Sequence, residues 1–139
     1  DTARSRGLGD VYKRQPISLK SKWFENFTAY TIAKFGMSMC VIGMSAEYKK
    51  YNIAVNALWP KTAIDTAAIR MLGGVVRPEQ CRKVDILADA SFFVLRRHSN
   101  KFTGKFYIDE EVLAEEGITD LEKYSVKKGE KLFTDLYLD

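Results

Sequence analysis

The stretch that most limits what this chain can fold into is I-A-V-N-A-L-W, residues 53–59, closed by Pro60. It carries no charge and includes the β-branched Ile53 and Val55. Such a run reads as a strand buried on both faces, which is how strands of a helix-covered parallel sheet read. Pro60 ends it, because proline has no N–H to give a ladder. A second strand candidate is F-T-G-K-F-Y-I, residues 102–108.

Helical patterns surround both. Ile32, Phe35, Met39, Ile42 and Ala46 recur at steps of three and four, which predicts a long helix over about 28–48. Lys49 and Lys50 suit its negative end. A short amphipathic helix is expected over 62–72, stopped by Gly73-Gly74. Pro78 opens another helical region, with Val84, Leu87, Ala88, Ser91, Phe92 and Leu95 as its apolar stripe and Phe92 and Phe93 as core residues. Residues 110–116 read as one or two helical turns. Strands separated by helices argue for an α/β fold with a parallel sheet. Two strands do not make a stable sheet alone, and a long helix precedes the first of them. The expectation is therefore the C-terminal half of a doubly wound sheet, truncated.

Three segments follow from this. Residues 1–15 have no period and resemble translated adaptor sequence, so they read as a non-native leader. Residues 16–116 form the partial domain. Residues 117–139 are charged and weakly periodic, and suit a surface tail or a linker.

Charge excludes some functions. The net +4 divides into +2 over residues 1–15, +8 over 16–108 and −6 over 109–139. The basic middle could meet an anion such as a phosphate-bearing cofactor. Its cations are scattered, without the clustering and interleaved aromatics of a nucleic-acid surface. No apolar run reaches the roughly 18 residues of a membrane span. Cys40 and Cys81 lie far apart with no metal-ligand spacing around them, and read as free thiols. The lone His98 ends a helix among arginines, a capping or solvated position. Met37, Met39 and Met44 read as packing residues.

One pair carries possible chemistry. In T-A-Y-T-I-A-K, residues 28–34, Tyr30 and Lys34 stand four apart, on one helix face. A free tyrosine ionises near pH 10. A neighbouring ammonium favours the phenolate and makes the hydroxyl a usable acid or base. Spacing alone favours an ordinary exposed pair, since a Tyr and a Lys four apart recur by chance on surface helices. Context adds the small Ala29, Ala33 and Gly36 around the pair. It also adds the segment from Pro60, at the carboxyl end of a strand, where α/β sheets bind ligands.

Y-T-I-A-K followed by N-I-A-V-N-A-L-W-P resembles the C-terminal half of a short-chain dehydrogenase/reductase, a Rossmann-like fold. C-R-K-V-D-I-L-A-D-A (81–90) and F-T-G-K-F-Y-I-D-E (102–110) extend the likeness over about 16–139. W-P-K-T-A-I is telling, since most of the family has Pro-Gly where Pro60-Lys61 stands. The resemblance implies an oxidoreductase acting on a hydroxyl or carbonyl, with NADP or NAD as cofactor and a small, lipid-like substrate. It makes Tyr30 the general acid/base. Lys34 would lower the tyrosine pKa and hold the cofactor ribose. Residues 60–66 would close over the nicotinamide through Pro60, backbone near Ile64, and the hydroxyls of Thr62 or Thr66. Ser18, twelve before Tyr30, is the candidate for the serine that holds the substrate oxygen; closer relatives carry theirs further upstream, where Arg14 stands. The region of Met71 and Leu72 is either a mobile substrate lid or plain helical packing.

By the same resemblance, like chains pair through the Tyr30 helix, and the setting is intracellular, a peroxisome or mitochondrion. No targeting signal is read here; the ending Leu-Tyr-Leu-Asp is not the usual peroxisomal tripeptide. The family's Gly-rich phosphate turn is not found, and Gly7 and Gly9 precede no helix. The rival expectation is a non-catalytic partial α/β domain, lacking its cofactor half, that only binds or dimerises.

Overall fold

A computed structural model describes residues 18–71 and 73–138; the proposed leader, residues 1–15, lies outside them. Helix α1 spans Thr28–Tyr48. It extends through a 3-10 turn, Lys49–Tyr51, and stops where Asn52 adopts a left-handed φ of 58°, a conformation that asparagine tolerates well. Strand β1, Ala57–Trp59, is followed by a single helical turn, α2, Ala67–Arg70. Helix α3 covers Asp85–Leu95, strand β2 Phe106–Ile108, and helix α4 Asp109–Glu115. The two strands pair in parallel, Ala57 against Phe106, Leu58 against Tyr107 and Trp59 against Ile108. The arrangement is the expected partial α/β architecture. Among the described residues, no helix is long and apolar enough to cross a membrane.

Both strands are shorter than their apolar runs. Residues 54–59 are only half-buried, not buried on both faces, because β1 has one partner strand among the described residues. Upstream of Ala57 the pairing continues through side chains. Asn56 donates to the Phe102 carbonyl at 2.9 Å and accepts the Lys105 N–H at 2.9 Å. The Thr103 hydroxyl accepts the Val55 N–H at 3.0 Å. Gly104, at φ +69°, turns the chain so that its own N–H reaches the Val55 carbonyl. A Cβ there would also lie 2.9 Å from Ser45 Oγ.

The helix expected over 62–72 forms only at α2. Thr62 and Ile64 instead make bridges with Thr134 and Arg82, which holds this segment extended. Met71, at the close of α2, is 85% exposed, and Leu72 lies outside the described residues. In α1 the buried residues are Thr31, Phe35 and Ser38; Ile32, Met39 and Ile42 face outwards. In α3, Ile86 and Ala90 are buried and Phe93 packs on the core, whereas Phe92 and Leu95 are exposed. Apolar periodicity found these helices and placed Phe35 and Leu87 inwards, but it put Ile32, Met39, Ile42, Phe92 and Leu95 on faces that are exposed.

The main core joins Ile86 and Ala90 of α3, Val112 and Leu113 of α4, Ile64 and Tyr124. A second cluster holds Ala63, Val76 and Cys81. Buried Arg82 ties these parts together, pairing with Glu110 at 2.8 Å and donating to the Leu121 carbonyl at 2.7 Å. His98 is exposed beyond α3, Cys40 is exposed and Cys81 is buried.

Residues 117–138, read from sequence as a surface tail or linker, fold back on the domain. Phe133 and Thr134 run beside the 61–63 segment, through Ala63 N–H to the Phe133 carbonyl and Asp135 N–H to the Lys61 carbonyl. Tyr137 is buried among Trp23, Phe35 and Trp59, with ring centroids 5.3, 5.0 and 5.9 Å away.

Candidate active site

Three elements enclose a cavity of about 300 Å³ at the carboxyl end of β1. Helix α1 contributes Tyr30, Lys34, Met37, Ser38 and Val41; β1 and its stop contribute Ala57 through Pro60; the C-terminal segment contributes Asp135, Leu136 and Tyr137. Helical spacing puts positions 30, 34, 37, 38 and 41 on one side of α1, and that side faces the cavity.

The structure thus brings Tyr30, Lys34 and Pro60 together. The other named residues stand apart. Thr62 is buried and its Oγ1 has no hydrogen-bond partner. Ile64 packs in the main core. Thr66 is exposed at the start of α2. Ser18 does not line the cavity; its hydroxyl accepts the Lys20 N–H at 3.4 Å.

The electrostatics depart from expectation. Lys34 Nζ lies over the Tyr30 ring, 5.4 Å from its centroid. The Tyr30 hydroxyl is pushed above its usual pKa rather than below it, first by burial and then by the Asp135 carboxylate. Asp135 is itself raised by burial, against the pull of the Leu136 N–H and the Lys34 ammonium. After burial, the next influence on the Tyr30 hydroxyl is a carboxylate more than a hundred residues along the chain, Asp135. Burial and Asp135 both disfavour the Tyr30 phenolate, so in this setting the hydroxyl holds its proton more tightly than a free tyrosine.

Sequence reasoning missed Asp135 and Tyr137, which sit in a segment without period. The Tyr137 hydroxyl lies 3.0 Å from Thr31 Oγ1, and Thr31 Oγ1 also donates to the Trp23 carbonyl. Asp109 was missed too. It is fully buried at the end of β2, where its Oδ1 accepts N–H bonds from Lys61 at 2.8 Å and Glu110 at 2.7 Å. Its place after F-Y-I, at the carboxyl end of a strand, was a usable signal. Among the described residues, no group of three His, Cys, Asp or Glu could hold a metal.

Helix, strand, proline and Tyr-Lys pair in this arrangement resemble the short-chain dehydrogenases, and solved structures agree. A putative dehydrogenase from Xanthomonas campestris superimposes with a TM-score of 0.83 at 48% identity, over 88% of this chain and 44% of that one. A short chain dehydrogenase from Mycobacterium thermoresistibile gives 0.78 at 41% identity, over 89% and 44%. Among curated proteins, the chain is similar to hydroxysteroid dehydrogenase-like protein 2. It is 57% identical over 124 residues to the protein of Xenopus laevis and 54% to that of Homo sapiens, covering 89% of this chain and 29% of either. The chain therefore spans less than a third of those relatives and less than half of the solved structures. No family profile matches it.

Proposed function

We propose that this chain carries the proton-transfer part of a nicotinamide-dependent oxidoreductase that interconverts a hydroxyl and a carbonyl. The observation behind it is the meeting of Tyr30 and Lys34 with Pro60 in one cavity at the carboxyl end of β1. A cation and a hydroxyl facing one cavity suit a ribose and a substrate oxygen, so these residues fit the reacting end of such a cofactor. When bound, NADP or NAD would supply or take the hydride. Lys34 would hold the ribose hydroxyls. Tyr30 would give its proton to a carbonyl oxygen in the reducing direction and take it back in the oxidising one. Pro60 would form one wall. Met37, Val41, Leu58, Trp59 and Leu136 give the cavity an apolar lining, which favours a lipid-like substrate. Pairing of like chains through α1 is part of the proposal, supported by the exposed Ile32, Met39 and Ile42. So is a peroxisomal or mitochondrial setting, which rests on the family resemblance.

A second reading is a non-catalytic domain that binds or dimerises only. Asp135 favours it, because its carboxylate lies against the pair and opposes the phenolate. NADPH separates the two. A rise in melting temperature that grows with NADPH concentration supports the oxidoreductase; no rise up to millimolar NADPH supports the binding domain. In any form that turns over, Tyr30→Phe is expected to abolish turnover and keep cofactor binding, and retained turnover removes Tyr30 from the role.

A further inference from the structure

Asp109 is a carboxylate with no exposed surface. Such a group is costly to bury unless its charge and lone pairs are answered. The nearby cation answers them only in part: Arg82 bonds to Glu110 and to the Leu121 carbonyl, and acts on Asp109 through its charge alone. One oxygen, Oδ2, has no hydrogen-bond partner. The other takes two backbone N–H groups, one from its neighbour Glu110 and one from Lys61, 48 residues away. As the first residue of α4, Asp109 follows the capping position, Ile108, and a serine in its place would be far cheaper to bury. The contact with Lys61 is what a longer, charged acceptor adds.

Lys61 is where such a contact has most effect. Pro60 has no N–H, so Lys61 N is the first donor past the end of β1. The carbonyl of the same residue accepts the Asp135 N–H at 3.1 Å, and Ala63 N–H reaches the Phe133 carbonyl at 2.9 Å. Residue 61 is thus gripped on its N–H side by Asp109 and on its C=O side by the segment that walls the Tyr30 cavity.

We propose that Asp109 is a positioning residue: its buried carboxylate fixes the Pro60–Thr66 segment against the end of β2, and so sets where that segment and Asp135 stand relative to Tyr30 and Lys34. This rests on the reading of that segment as cofactor-facing. A charged acceptor holds an N–H more firmly than a neutral one, so the grip weakens when Asp109 takes a proton. Burial is the main cause that lifts its pKa, to about 6; Glu110 raises it further, while Arg82 and the two N–H groups oppose.

The test is amide hydrogen exchange of the full chain, followed by NMR, in the parent, Asp109→Asn and Asp109→Ala. The alanine variant is expected to speed exchange at Lys61 by about tenfold, the equivalent of one lost hydrogen bond, and to leave Leu113 within about twofold. The asparagine variant keeps a neutral acceptor oxygen and is expected to protect Lys61 less than the parent at neutral pH but more than the alanine variant. Below about pH 6, corrected exchange at Lys61 is expected to quicken in the parent and stay flat in Asp109→Asn. Equal protection at Lys61 in all three proteins overturns the proposal. If the alanine variant does not fold, a pH response at Lys61 that is the same in parent and asparagine proteins overturns it instead. NADPH added to each protein separates the underlying reading. If Lys61 responds to the substitutions and NADPH alters no amide, the clamp stands and the cofactor assignment falls.

Discussion

Tyr137 joins the C-terminal segment to the site, and its removal has a calculable effect. The side chain is 8% exposed, touches three aromatic rings, and its hydroxyl meets Thr31. Tyr137→Phe keeps the rings and loses that hydroxyl, while Thr31 keeps the Trp23 carbonyl as partner. The expected loss is about 1 kcal/mol. Tyr137→Ala empties an aromatic site, for about 3–5 kcal/mol. Alanine recovers nothing from the backbone, because φ is 74° and any Cβ is strained there. At about 4 °C per kcal/mol for a chain of this size, the melting temperature should fall by about 4 °C for phenylalanine and about 12–20 °C for alanine. Fluorescence is the direct assay, since both tryptophans of the chain, Trp23 and Trp59, pack on this ring. The alanine variant should show red-shifted emission before global unfolding. Variants that melt with the parent and emit like it would refute the docked position of residues 134–138.

Asp135→Asn should let Tyr30 ionise at lower pH than in the parent, because the carboxylate opposes the phenolate; titration of ring-labelled tyrosine, assigned with Tyr30→Phe, checks this, and an unchanged midpoint counts against the contact. Gly104→Ala should destabilise by about 1–2 kcal/mol through its left-handed backbone, and Ser45→Ala should restore only the part due to the 2.9 Å approach; denaturant midpoints of the single and double variants decide. Unfolded aspartate releases its proton near pH 3.9, whereas native Asp109 holds it to about 6. The native state therefore binds the extra proton between those values, and stability falls as pH rises through the window. Relative to Asp109→Asn, the parent should lose on the order of 2–3 kcal/mol from about pH 4 to above pH 6, read from urea midpoints; a constant difference would exclude this.

Local patterns in the sequence carried much of the architecture. The run 53–59 with its proline located β1, Phe102–Ile108 contained β2, and the spacing of Tyr30 and Lys34 put them on one face of α1. What stayed hidden depends on distant contacts. The inner face of α1 runs through Thr31, whose hydroxyl meets the Trp23 carbonyl and Tyr137, and through Ser38, whereas hydropathy alone points to Ile32 and Met39. Thr62 and Ile64 are extended because residues 134 and 82 pair with them, which no helical count over 62–72 can reveal. The field at Tyr30 comes from Asp135, in a segment whose composition reads as solvated.

The docking of residues 134–137 also gives the site an order of completion. Thr31 and Tyr137 are 106 positions apart, and chains are made from the N-terminus at about 5–20 residues per second. Roughly 5–20 seconds therefore separate the synthesis of α1 from that of the tyrosine that covers it. During that interval Phe35 of α1 lacks its Tyr137 cover, alongside the outer Ile32, Met39 and Ile42 that stay exposed in the folded chain. A stalled ribosome that has not reached Asp135 would carry Tyr30 and Lys34 with neither the wall nor the charge that defines their setting.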